Sequence, residues 1–268
     1  MFPDLINLGF LHLHTYGACM AIGFVLCFKL IERLSGRKDI SNLLMALMFS
    51  GVIGSRIAYV IEHWSSEFAA KPWNVVKVWN GGLMFYGGLV LAMAVFFVWC
   101  RIRRDHPLKL ANLLATALPL GHACGRIGCF FFGCCYGRRS DSVFAVAFPR
   151  QSPAWVEQFQ HGEIAYSATK ALPVLPTQLF EAAALFGLFA WLWLRYRRGG
   201  RAGEGNAARY LMAYAVIRFA LEFLRGDPRA SVWWLSISQS ISLGIFLVGA
   251  AIAVFERRQK RAESKTEG

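Results

Sequence analysis

A chain of 268 residues with 56% apolar and only 17% charged residues departs from soluble globular composition, which averages about 25% charged. Mean hydropathy is positive, and the apolar residues lie in long blocks, not in short periodic stripes. The net charge of +13 excludes little by itself, but its basic residues are scattered as short flanks without a folded basic face, which argues against a nucleic-acid partner.

Seven apolar blocks run over about 14–31, 41–61, 83–100, 110–132, 176–195, 208–224 and 234–255. A membrane-spanning helix needs roughly 17–25 mostly apolar residues. The expected fold is therefore an all-α integral membrane protein of seven transmembrane helices, forming one domain over 1–268. The N-terminus lacks a basic lead and a clear small-residue cleavage site, so the first block reads as an uncleaved anchor.

Basic clusters follow the odd-numbered blocks: Arg33, Arg37 and Lys38; Arg101, Arg103, Arg104 and Lys109; Arg195, Arg197, Arg198 and Arg201; Arg257, Arg258, Lys260, Arg261 and Lys265. With seven spans these lie on one side, which the positive-inside rule makes cytoplasmic. The N-terminus is then outside and the C-terminus inside. On the outer side, Trp64, Trp73 and Trp79 suit the headgroup belt, and the longest loop covers about 138–175.

Three arginines interrupt the apolar blocks: Arg56 in SGVIGSRIAYVI, Arg126 in LGHACGRIGCFFF and Arg218 in LMAYAVIRFALEFL. A charge in the hydrocarbon core costs at least about 2.5–3.5 kcal/mol, and arginine does not escape it by losing its proton. Three such costs call for a compensating anion or a polar cavity, and a guanidinium fork suits phosphate or carboxylate. A buried phosphate-binding site is the expectation.

The segments around these arginines carry the other candidates. GHACGRIGCFFFGCCYGRRSD (121–141) holds five glycines, Arg126, Gly137 and Arg138. Glycine there permits either tight helix packing or a non-helical turn lining a cavity. In IRFALEFLRGD (217–227), Arg218, Glu222 and Arg225 are spaced to project from one helical face. They form either a self-neutralising ladder or a phosphate site oriented by Glu222. Tyr16 and Tyr86 stand at the outer mouths of the first and third blocks, and Gln178 and Glu181 open the fifth.

In order along the chain, these segments resemble the prolipoprotein diacylglyceryl transferase family. Tyr16-Gly17, GSRIAYV (54–60), WNGGLMFYGGL (79–89), PLGHACGRIGCFFFGCCYGR (119–138), FAVAFP (144–149), PTQLFEA (176–182), RFALEFLR (218–225) and LSISQSISL (235–243) all fall in family order. The resemblance implies transfer of the diacylglyceryl group of phosphatidylglycerol to the lipobox cysteine of a prolipoprotein in the bacterial inner membrane, with release of glycerol phosphate. It assigns the phosphate to Arg126 and Arg218, supported by Glu222 and Arg225. Arg56 shapes the headgroup cavity, and Gly137 allows close backbone approach. Tyr16 and Tyr86 occupy catalytic motif positions, while Arg138, Gln178 and Glu181 fall among the substrate-binding ones. No metal and no organic cofactor are expected.

Three positions depart from the family pattern. The motif histidine of the third block is Tyr86, the signature asparagine is Cys129 and the signature glutamate is Cys134, followed by Cys135. With Cys124, these cysteines are packing groups, functional thiols or metal ligands, and their spacing matches no standard zinc pattern. Three other readings stand beside the family reaction: a transferase with a different acceptor, a non-catalytic phospholipid-binding protein, and a membrane thiol oxidoreductase.

Overall fold

Each of the seven apolar blocks folds as a long helix, with ends within a few residues of the expected ones except at the C-terminus, where the last helix runs on to Thr266. The computed structural model describes residues 4–7, 12–78, 81–198, 203–227, 231–232 and 234–266; Trp79 lies outside them. The helices are α1 (Thr15–Ser35), α2 (Ile40–Glu62), α3 (Phe85–Arg103), α4 (Pro107–Phe132), α6 (Thr177–Arg198), α7 (Asn206–Glu222) and α8 (Ile237–Thr266). A short α5 (Pro153–Gln160) was not expected. Two short helical turns, Trp64–Phe68 and Pro72–Val76, and two small antiparallel strand pairs complete the described elements, the pairs being β1 (Asp4–Asn7) with β2 (His12–His14) and β3 (Ser231–Val232) with β4 (Leu235–Ser236).

Among the described residues, five helices are long and apolar enough to cross a membrane: α2, α3, α4, α6 and the Ile237–Ala262 part of α8. They expose large apolar side chains such as Ile53, Ile57, Ile61, Val90 and Leu247. That outward apolarity suits lipid and not water. The chain is a multi-pass membrane protein. Of the other two long helices, α7 packs Arg209, Arg218 and Glu222 into 17 residues.

The chain divides into two compact units, Ile31–Leu110 and the remainder, Met1–Leu30 with Ala111–Gly268. In the first, α2 packs on α3 through small residues: a Cβ on Gly54 would sit 2.5 Å from the Gly87 carbonyl oxygen. Such backbone approach is how helices associate where lipid removes the hydrophobic drive. At one end of this unit Arg37 forks onto both Asp39 and Asp105, and Arg103 adds a contact to Asp39 at 2.9 Å. The bonds from Arg37, and then that from Arg103, hold the Asp39 carboxyl below the usual carboxylate range.

In the larger unit a polar knot ties four helices. Asn112 on α4 accepts from the Ala207 N–H at 2.8 Å, filling an orphan donor at the start of α7, and donates to Glu256 on α8. Asn206 donates to Thr116 on α4 and to the Leu192 carbonyl on α6. Ala115, Leu188, Leu192, Ala207 and Tyr210 pack around this knot.

The long loop has a core of its own. Tyr136, Phe148, Ala154, Trp155, Ala171 and Val174 are buried together, with Ser152 capping α5. Tyr136 donates to Glu157; burial, with that bond second, pushes the phenol above its ordinary value.

Candidate active site

The signature segment ends α4 in a helix-closing turn. Gly133, at φ +81, donates to Phe130 O, and Cys134 N–H reaches back to Cys129 O at 3.2 Å. This is the 6→1, 5→2 pattern that glycine permits past a helix end. It folds Cys134 and Cys135 back over Cys129, so the three Sγ atoms lie within 4.8 Å of one another. Cys135 itself takes φ +63, a left-handed conformation unusual for a residue with a side chain. Two groups from the start of α6 hold the turn: Thr177 Oγ1 donates to Cys135 O at 2.8 Å and Gln178 Nε2 to Cys134 O at 2.6 Å.

The chain beyond the turn is pinned by backbone pairing. Gly137 N–H donates to Leu175 O and Arg138 N–H to Leu224 O, each at 2.8 Å. A Cβ on Gly137 would lie 2.7 Å from Leu224 O and 2.8 Å from Leu175 Cβ. The Arg138 side chain is exposed.

Arg126 lies nearly two turns before the end of α4, its Nε 3.0 Å from Oε1 of Glu181 on α6. Glu181 is 1% exposed and Arg126 17%, so the acid is sealed in while the arginine keeps some exposure. Arg126 Nε and Glu181 Oε1 are in ion-pair contact without hydrogen-bond alignment. His122, one turn earlier on the same helical face, has Nε2 3.8 Å from the same carboxylate oxygen. Its ring packs 4.9 Å from that of Tyr214 on α7.

Arg218 is buried on α7, with Nη1 2.8 Å from Glu222 Oε2 and Nη2 donating to Ser238 on α8 at 3.0 Å. Both Arg126 and Arg218 act electrostatically on His122 and Tyr214, so the two charges lie near the same pair of rings. Tyr16, half-exposed in the first turn of α1, packs on Gly128 and feels Cys129, Cys134 and Arg126.

The expectation that Arg225 shares a helical face with Arg218 and Glu222 is corrected. Helix α7 ends at Glu222, and short turn bonds from Phe223, Leu224 and Arg225 carry the chain out of the helix. Arg225 then pairs as a fork with Asp227, both bonds at 2.7 Å, and its guanidinium lies against Cys135.

Arg56 and Tyr86 belong to the smaller unit. Arg56 donates to four backbone carbonyls: Val75 at 2.9 Å, Asn74 at 2.6 Å, Gly81 at 2.7 Å and Gly82 at 3.1 Å. Its charge is met by the loop's own dipoles. Tyr86 is exposed in the first turn of α3.

Of the expected residues, Tyr16, Arg126, Cys129, Cys134, Cys135, Gly137, Arg138, Gln178, Glu181, Arg218, Glu222 and Arg225 fall in one unit. His122 and Tyr214 went unnoticed in the sequence. The signal was available for His122, which stands four residues before Arg126.

The family model for prolipoprotein diacylglyceryl transferase matches residues 3–255. The chain belongs to the prolipoprotein diacylglyceryl transferase family. It is 32% identical to the phosphatidylglycerol–prolipoprotein diacylglyceryl transferase of Stenotrophomonas maltophilia (strain R551-3), over 96% of this chain and 92% of the relative. The protein of that name from Bordetella bronchiseptica (strain ATCC BAA-588 / NCTC 13252 / RB50) is 31% identical, over 96% and 95%. A Clostridium perfringens (strain 13 / Type A) relative, named as transferase 2, is 29% identical over 95% of each chain. Membership makes this chain a transferase of lipoprotein biosynthesis carried on membrane-spanning helices.

Proposed function

We propose that this chain transfers the diacylglyceryl group of phosphatidylglycerol to the lipobox cysteine thiol of a prolipoprotein and releases glycerol phosphate. The observation that carries this reading is the pair of arginines in the larger unit, Arg126 and Arg218, each held by a buried carboxylate, Glu181 and Glu222. A carboxylate that holds a guanidinium without filling its fork keeps it charged and aimed. A phosphodiester can then take the remaining donors.

The reaction forms a C–S bond as a C–O bond breaks, and the electron pair leaves on the phosphate-bearing oxygen. Charge grows on that phosphate in the transition state, where fixed donors act most strongly, each typically contributing about 10²–10³ in rate. Arg126 and Arg218 fill this role. Arg225, Arg138, Gln178 and Gly137 shape the adjoining wall, Tyr16 lies at its edge, and Arg56 orders the loop that leads to Tyr86. The same reading takes seven spans in a single membrane domain, with the N-terminus outside and the C-terminus cytoplasmic, in the bacterial inner membrane.

A second reading keeps the phospholipid site and changes the acceptor. It is favoured by Cys129 and Cys134, which stand where the signature has an amide and a carboxylate.

Purified protein in phosphatidylglycerol vesicles, given a lipobox peptide, tests the proposal. The expected result is a peptide heavier by one diacylglyceryl group and one glycerol phosphate released per peptide modified. Phosphatidylethanolamine vesicles are expected to give neither. Glycerol phosphate released without modified peptide would move the weight to the second reading.

A further inference from the structure

The steps above leave three sulfurs unused. Cys129, Cys134 and Cys135 bring their Sγ atoms within 4.8 Å of one another. Sulfurs sharing one tetrahedral zinc at about 2.3 Å stand about 3.8 Å apart, so closing this set needs a movement of no more than about 1 Å. The set is built into the fold. The turn past α4 folds residues 134 and 135 back onto 129, and Thr177 and Gln178 fasten both carbonyls of the cysteine pair.

Charge around the trio points the same way. Three thiolates and one divalent ion carry a net −1, and Arg225 lies against Cys135 with its side chain only 3% exposed. Its Nη1 is buried and makes no regular hydrogen bond among the described residues. Arg126 also acts electrostatically on Cys129 and Cys135. Sequence spacing hid the set, because an adjacent pair five residues after a single cysteine matches no standard pattern. The backbone reversal at Gly133 makes them neighbours.

We propose that Cys129, Cys134 and Cys135 form a three-thiolate site for a thiophilic divalent cation, zinc, whose fourth position takes the acceptor cysteine thiol. The role in transfer rests on the reading above, that a cysteine thiol is alkylated. Three protein ligands with an open fourth position are the arrangement of catalytic zinc sites, and a thiol bound to such an ion is deprotonated outright. The acceptor's S–H proton passes to water on binding. The bound sulfur then attacks the glycerol carbon that carries the phosphate; C–S forms, C–O breaks, and the pair leaves with glycerol phosphate. The thioether product carries no charge, binds zinc weakly and departs. The site thus supplies the thiolate that the motif histidine, absent at Tyr86, does not.

The test uses the full chain, reduced, stripped of metal and titrated with Co²⁺ as the probe. The expected result is one equivalent bound, with sulfur-to-cobalt absorption in the near ultraviolet that Zn²⁺ abolishes. Cys129→Ser and Cys134→Ser should lose it, and Cys100→Ser should keep it. A lipobox peptide should shift the visible cobalt bands, while the same peptide with serine for cysteine should not. Transfer to the peptide should fall at least tenfold on stripping and return with one equivalent of Zn²⁺.

The wild-type cobalt spectrum needs no variant to fold. Its absence from folded, reduced protein would overturn the site. Full-rate transfer by the stripped chain would overturn the role of the ion and leave the transferase reading intact. Cobalt binding with a peptide-dependent shift, but no labelled peptide in phosphatidylglycerol vesicles, would keep the site and remove the proposed reaction.

Discussion

Glu181 on α6 is sealed from solvent at 1% exposure, 3.0 Å from Arg126, which is 17% exposed. The asymmetry divides the labour: the acid anchors and the base reaches out. Removing the arginine strands a buried carboxylate, whereas removing the acid leaves a partly exposed arginine. Breaking a buried pair typically costs about 3–5 kcal/mol. Arg126→Ala is expected at the upper end and Glu181→Ala below it, measured by thermal unfolding in one detergent. Equal losses would contradict the assignment of anchor and reach.

Arg56 illustrates a buried charge spent on structure. Its four carbonyl partners span Asn74 to Gly82. Hydrogen bonds to charged groups contribute about 1.5–3 kcal/mol each, though not additively. Arg56→Gln is expected to open this loop, so that amides in 72–82 exchange at least tenfold faster while those in α6 stay unchanged. Uniform acceleration throughout the chain would mean that Arg56 supports something larger than the loop.

At Gly137 a methyl group meets backbone on one side and packed side chains on the others. Gly137→Ala is expected to cost about 1–3 kcal/mol, since overpacking against backbone finds little relief. Gly187 offers a contrast within α6, because a Cβ there meets nothing within 4 Å. Gly187→Ala is expected to gain about 0.5–1 kcal/mol from helix propensity. Comparing their unfolding temperatures checks both signs.

The Asp39 cluster gives a pH dependence. Arg37 and Arg103 depress its folded-state pKa, so its contribution is present above the unfolded value, near about 3.9, and is lost as pH falls through the lowered value. Asp39→Asn should destabilise at pH 7, with a penalty that shrinks steadily as pH falls below about 4. Arg37 is 39% exposed, so added salt should reduce the penalty too. A penalty constant from pH 7 to pH 2 would rule out the ion pairs as its source.

Apolar block length was enough to place the long helices, because in lipid every backbone group must be satisfied within its own segment. The block at 41–61 became Ile40–Glu62, and the one at 176–195 became Thr177–Arg198. Helix α5 stayed hidden because eight residues within a polar loop carry no such signal. Arg56, Arg126 and Arg218 stood out as charges that lipid does not tolerate, but their partners come from distant segments. Composition does not tell a carbonyl-bound arginine such as Arg56 from an acid-bound one such as Arg126. Arg225 was drawn onto the α7 face by its spacing, and the helix ends three residues too early for that spacing to apply.

The most direct measurement of the central claim is diacylglyceryl transfer from labelled phosphatidylglycerol to a lipobox peptide by wild type, Arg126→Gln and Arg218→Gln, each shown to be folded. Loss of a phosphate donor is expected to lower kcat by about 10²–10³ in each variant, with peptide KM little changed. Wild-type transfer that survives both substitutions at full rate would contradict the assignment of the phosphate to these arginines.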